Sequence, residues 1–380
     1  MANSLTAVVP QIMAQGLQVL RQNCMMPRIV NRSLESEVRQ FGDTIDVPYV
    51  GLATAVTVTP GPYVTNVDIT TSKVQVPLTF WRQASFYLTD QEIEAAISGL
   101  LPMRASATIK ALGNAVDSFL LGLYKGMWSA GGVAGTTPFA STVTAIQDAR
   151  KGLNKWLAPN DGRSVVLDPD AEANAIGLPT FLQASLRGDQ QGIKEAQLGR
   201  LLGADWYMNQ NVPTHSAGAL TAETTHVAIT AYATGVNEII VRGSNPSGTL
   251  VAGDLFTINA GTQYYVVNTV ATATGSVVTI TFQPSLQTAI AASGVAVTYV
   301  GTHVVNLLIQ RDAIAWASRP MQRSQMGGGL GSMFSTVTDP ISGLALRLEV
   351  SRQNKQTTWA WDILGGGALV RPELGARILG

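Results

Sequence analysis

The sequence predicts an α+β protein in which a small antiparallel β-barrel is inserted into a body of helices and sheet. Three observations carry the prediction. Between Thr221 and Val300 only four residues are charged, Glu223, Glu238, Arg242 and Asp254, and Val, Ile, Thr, Ala and Gly dominate. Inside that block VAGDLFTINAGTQYYVVNTVATATGSVVTITF (251–282) reads as short strands closed by Gly-Asp and Ala-Gly turns, the pattern of a small sandwich or barrel. Upstream, helical stripes with a start signal run from Thr89 to Leu123, so the β-rich block sits inside a chain of different style.

Residues 1–40 read as an N-terminal arm. Val8, Ile12, Leu17 and Leu20 have helical spacing, which Pro10 limits. An extended β-loop follows at 41–90. Gly42-Asp43 makes a turn, after which Ile45 and Val47 alternate with Thr44 and Asp46. From Val56 to Leu88 nearly everything is extended, with Val74, Val76 and Leu78 on one face. A two-stranded ribbon is marginal alone in water, so the loop is expected to lie on other structure, a neighbouring subunit being one support.

The body is expected at 91–216 and 304–380. Thr89-Asp90-Gln91-Glu92 is a capping box, in which hydroxyl and carboxylate satisfy free amides at a helix start. A second helix begins near Pro102 with the stripe Ile109, Leu112, Val116, Leu120 and Leu123, and the glycines after Tyr124 (Gly126, Gly131, Gly132, Gly135) are expected to end it in a loop. Val143–Leu157 reads as a helix and Ser164–Leu167 as a buried strand running into the turn Asp168-Pro169-Asp170. Gly188–Leu202 reads as polar and then helical, and Ala204–Met208 as a strand. The inserted barrel occupies 217–303. After it come a strand at His303–Leu307, a glycine-rich loop at 327–332, and sheet segments at Leu344–Val350, Thr357–Leu364 and Ala368–Arg371.

Composition narrows the function. Lys plus Arg and Asp plus Glu number 25 each, so the formal net charge is zero, without the basic excess of a protein that grips nucleic acid. Charged residues make up 13% of the chain, against about 25% for an ordinary domain. A weakly charged surface favours association. One cysteine, Cys24, excludes an intrachain disulfide and a thiolate metal cluster. The first charged residue is Arg21 and no run of 18 apolar residues occurs, so neither a signal peptide nor a membrane partner is expected.

Catalytic motifs are missing. Of the histidines His215, His226 and His303, only His226 has a ligand-type residue close by, Glu223, and no third ligand stands near; they read as hydrogen-bonded structural groups. No G-x-S-x-G elbow occurs, and Gly327–Gly331 is not followed by Lys-Ser or Lys-Thr. Asp168 and Asp170 flank Pro169, which suits a turn better than a metal. The reading is therefore no enzyme, no cofactor and no metal.

Five segments carry a family resemblance: GDTIDVPYV (42–50), FYLTDQEIEAA (86–96), VAGDLFTINAG (251–261), IQRDAIAWASRP (309–320) and LALRLEV…WAWDILGGGALVRPE (344–373). In order and spacing the chain resembles major capsid proteins of tailed bacteriophages with the Hong Kong phage-type fold, and among these the coat proteins of Salmonella podoviruses, which carry an inserted β-domain. The resemblance implies an N-arm, an extended β-loop, a peripheral domain with a long spine helix, and an axial domain bearing the barrel. It implies hexamers and pentamers closing an icosahedral shell around double-stranded DNA, in a virion assembled in the host cytoplasm. Implied partners are further copies of the chain, a scaffolding protein, a portal protein and weakly held packaged DNA. Position in the loop and helix junction makes Lys73, Arg82, Asp90 and Glu92 candidate inter-subunit contacts. A cellular nanocompartment shell protein of the same fold and a β-rich surface or carbohydrate-binding protein are the alternatives.

Overall fold

The computed structural model describes residues 16, 18–20, 24–33, 44–50, 55, 57–58, 60–61, 71–95, 100–183, 195–196, 198–222, 226–243, 248–321, 332–339 and 341–380. The helical spacing expected before Leu17 and the glycine-rich loop at 327–331 lie largely outside them. Contacts divide the chain into two compact units: Met1–Ala115 with Ile314–Val370, and Val116–Ala313 with Arg371–Gly380.

In the first unit β1 (Thr44–Val50) and β2 (Thr71–Pro77) form an antiparallel ribbon, Ile45 opposite Val76 and Val47 opposite Val74. The alternation read from the sequence is the alternation of faces. Ile45, Val76 and Leu78 are buried in a cluster with Ala315 and Ala317, and Val47, Ala368 and Val370 pack against it. The ribbon's base therefore lies on other structure, as expected, and the support seen here is its own chain.

β3 (Phe80–Thr89) runs along β21 (Gln356–Leu369), which also pairs with β20 (Ala345–Gln353) and, at its end, with β18 (Ile314–Ser318); β19 (Ser332–Thr338) completes the sheet beside β20. Register places Phe86, Trp359 and Val350 in one row and Ala84, Trp361 and Leu348 in the next. Trp359, Trp361, Ile363, Leu346, Leu348 and Val350 are buried. The two sheet segments expected at 357–371 are one strand that runs through Gly365–Gly367. Glycine there allows close approach: a Cβ on Gly366 would lie 2.0 Å from the Pro77 carbonyl oxygen.

The capping box forms as read. The Thr89 N–H donates to Glu92 Oε2 at 2.9 Å and the Glu92 N–H donates to Thr89 Oγ1 at 3.3 Å, opening α1 (Asp90–Ala95). α2 (Leu100–Leu121) follows, its stripe Ile109, Leu112, Val116 and Leu120 buried.

The second unit is built on a seven-stranded sheet. Its order is β4 (Ser129–Gly132), β22 (Gly375–Leu379), β17 (His303–Gln310), β5 (Arg163–Leu167), β7 (Ala204–Met208) and β6 (Arg200–Leu201), with β8 (Thr214–His215) pairing the start of β17. α3 (Thr144–Lys155) buries Ala145, Ile146, Ala149 and Leu153. Three expectations change here. Gly131 and Gly132 belong to a strand, because the carboxy-terminal β22 supplies a parallel partner. Asp168-Pro169-Asp170 starts a helix, α4 (Pro169–Gly177), with the Asp168 carboxylate accepting the Asp170 N–H at 3.2 Å and Pro at the first helical position. Arg200 and Leu201 are strand, paired with Asp205 and Ala204.

The inserted block folds as predicted, into a closed antiparallel barrel. β9 (His226–Ala228), β10 (Glu238–Gly243), β12 (Leu255–Ile258), β13 (Tyr264–Val267), β15 (Val277–Gln283) and β16 (Ala296–Tyr299) close in the order β10-β15-β13-β12-β16-β9, and β11 (Thr249–Leu250) pairs with β14 (Ala271–Thr272) beside them. Its core holds Ile239, Val241, Phe256, Tyr265, Val267, Ile280 and Phe282. Closure removes the free strand edges that would invite mispairing.

Candidate functional site: the barrel root and the arm

The barrel is fastened to the body sheet by an apolar contact and a buried polar cluster. Leu255 and Val266, opposite each other on β12 and β13, are buried together with Trp128, Ala130 and Leu379. Beside them lies the Gly-Asp turn read in the sequence. Gly253 has φ +103°, and a Cβ there would stand 3.2 Å from Lys125 Cγ and 3.4 Å from His215 Cε1. Glycine is therefore favoured by its conformation, and any side chain there would crowd Lys125.

Asp254 is fully buried. Its carboxylate accepts the Val251 N–H at 2.7 Å and the Gly218 N–H at 3.3 Å, and Oδ1 lies 2.9 Å from His215 Nε2. His215 Nδ1 is in turn 2.9 Å from the Tyr124 hydroxyl. With the proton on Nε2, Tyr124 donates to the ring and His215 donates to Asp254. Arg377, fully buried on β22, donates to the carbonyls of Gly253 (2.7 Å) and Lys125 (3.1 Å) and stacks 4.9 Å over the Tyr124 ring. Burial lowers the Arg377 pKa to about 9, which leaves it a cation at neutral pH. His303 faces His215 across β8 and β17, ring centroids 5.2 Å apart, its Nδ1 donating to the Gly301 carbonyl at 2.8 Å. Burial first, then Arg377 and His215, hold His303 at about 4, so it is neutral.

His215 and His303 are thus hydrogen-bonded structural groups, as read. His226 is fully buried and lies edge-on to Tyr299 at 5.1 Å; its sequence neighbour Glu223 is outside the described residues. Among the described residues no group of three or more His, Cys, Asp or Glu could hold a metal ion. What sequence reading missed is Arg377, a single cation in a C-terminal strand, and the pairing of Asp254 with His215, 39 residues apart.

The four candidate contact residues each have an intrachain neighbour. Lys73 donates to Asp46 across the ribbon at 2.7 Å, and this bond, with Gln75, holds the Asp46 carboxyl below its usual value. Arg82 sits 5.6 Å over the Phe80 ring. Asp90 accepts from Arg352 at 2.7 Å, and Glu92 closes the capping box. The face of β3 opposite Arg82 carries a feature not singled out in the sequence. Trp81 Nε1 donates to Asp362 at 3.3 Å, Arg347 Nε donates to Asp362 at 2.9 Å, and Arg347 lies 5.8 Å over Phe334. Trp81 and Tyr87, on this row of β3, remain 55% and 57% exposed. Their alternation with Phe80, Phe86 and Leu88 was the signal available.

No family model matches the sequence and no curated protein matches it. Solved structures do. One described as Mycobacterium phage Che8 aligns at 15% identity over 93% of this chain and 90% of its own, with a TM-score of 0.52. The capsid of the cyanophage P-SCSP1u aligns at 12% identity over 93% of this chain and 87% of its own, with a TM-score of 0.51. The fold is the phage capsid fold. The closed six-stranded barrel is consistent with an inserted domain in that fold.

Proposed function

We propose that the chain is the major capsid protein of a tailed phage, similar to those of Salmonella podoviruses, and that copies of it assemble as hexamers and pentamers into an icosahedral shell around double-stranded DNA. The observation that carries this reading is alignment of 93% of the chain with a phage capsid structure at a TM-score above 0.5. Low charge and the two exposed aromatics of β3 support it, because half-buried Trp and Tyr are the side chains that anchor protein interfaces. In this reading the Trp81 and Tyr87 face of β3 is the centre of a contact with a neighbouring subunit, and Lys73, Arg82, Asp90 and Glu92, off that face, are further contacts. Many such contacts, each weak, close a stable particle. A scaffolding protein, a portal protein and loosely held DNA are its partners, the host cytoplasm its place of assembly and the virion its destination.

The test is expression of the chain with and without its neighbouring phage genes, followed by negative-stain electron microscopy of the clarified lysate. Closed shells or open polyheads are expected in at least one condition. A discrete monomer in both would overturn the reading.

A further inference from the structure

The turn VAGDLF, whose glycine and aspartate anchor the barrel root, contributes to a buried cluster with an unusual charge balance. Its groups come from five elements. The turn after α2 supplies Tyr124 and Lys125; the Lys125 side chain lies against Gly253 and is exposed. β8 supplies His215, the barrel turn supplies Asp254, β22 supplies Arg377, and β17 supplies His303. Within the enclosed part there is one carboxylate, Asp254, and one guanidinium, Arg377. The pair is balanced only while both histidines are neutral. His303 Nε2 is buried with no hydrogen-bond partner among the described residues. A proton there would be an unmatched second cation beside Arg377 and would have nothing to donate to. A proton on His215 Nδ1 would displace the Tyr124 hydroxyl from its donating role.

We propose that the Tyr124–His215–Asp254 relay and Arg377 form an acid-released clamp, which holds the barrel root on the body sheet at neutral pH and loosens when the partnerless Nε2 of His303 gains a proton. Release frees the groups that the cluster now engages: the Gly218 and Val251 amides on Asp254 and the Gly253 carbonyl on Arg377. The barrel core around Phe256 and Phe282 is apolar; the barrel's buried histidine, His226, lies against Tyr299 rather than in the clamp, and the core stays closed. The clamp is intrachain, so it stands or falls independently of shell assembly.

The test is hydrogen exchange, read by mass spectrometry on the unassembled full chain between pH 7.5 and 5.0, with rates corrected for intrinsic pH dependence. Opening of peptides around Gly218 and Val251 is expected to rise about tenfold on acidification, while peptides around Ile239–Val241 are unchanged. In His303→Asn the rise should shrink severalfold. Protection at the root that does not depend on pH in the unmodified chain would overturn the proposal. So would simultaneous loss of root and core protection, or a full acid response in His303→Asn. If a variant does not fold, the profile of the unmodified chain decides alone.

Discussion

Replacing Asp254 by alanine tests the physical basis of the barrel root. The carboxylate is fully buried and receives hydrogen bonds from His215, Gly218 and Val251. Removing it strands those donors and takes away a carboxylate whose charge favours the cation of Arg377, also fully buried. A buried donor left unsatisfied costs about 1–3 kcal/mol, and three of them in the lower half of that range give about 3–5 kcal/mol. For a unit of roughly 200 residues, each kcal/mol lowers the melting temperature by about 2–4 °C, so Asp254→Ala should melt about 6–20 °C lower. The assay is thermal and urea unfolding followed by far-UV circular dichroism. A double variant, Asp254→Ala with Arg377→Met, should cost at least about 1 kcal/mol less than the sum of the singles, since it deletes both charges. A loss below about 1 kcal/mol for Asp254→Ala, or strict additivity with Arg377→Met, would refute the reasoning.

Three further outcomes are expected. His303 is held at about 4, against 6.5 unfolded; the unfolded chain therefore binds the proton more tightly, and stability present above pH 6.5 is lost as pH falls toward 4. The difference is about 3 kcal/mol, and His303→Asn should remove it from a pH series of urea midpoints. Val76→Ala, at a fully buried position of the ribbon base, should cost about 1–3 kcal/mol and make the Thr44–Val50 segment more sensitive to proteolysis, an effect absent if the base were not seated on its own chain. Tyr87→Glu, on an exposed site of β3, should leave subunit stability within about 0.5 kcal/mol while abolishing assembly by electron microscopy; unimpaired shells would remove β3 from the interface.

The barrel was legible because its signal is local: alternation, few charges, and turn residues at short intervals. So were the capping box at Thr89–Glu92 and the buried stripe of α2, which depend on spacings of three and four. What escaped depends on distant partners. Gly365–Gly367 reads as a break, and becomes strand only because Pro77 must pass within contact of Gly366. Ser129–Gly132 reads as loop until β22 pairs with it in parallel. Likewise the ribbon's dependence on other structure was readable, whereas its seat on Ala315 and Ala317 was not. At the barrel root the Gly-Asp turn was visible as a turn, but Tyr124 lies 91 residues from the histidine it bonds. Arg377 gives no sequence sign of burial, since a lone arginine in a strand is ordinarily exposed.

Proposed shell formation is tested most directly by cryo-electron microscopy of the particles this chain makes, alone and with co-expressed candidate scaffolding proteins. The account predicts closed particles in which copies of the chain form five- and six-membered rings, with the β3 face of one subunit against a neighbour and the barrel root intact within each subunit. Soluble chains with no ringed assembly, or rings in which Trp81 and Tyr87 face solvent, would contradict it.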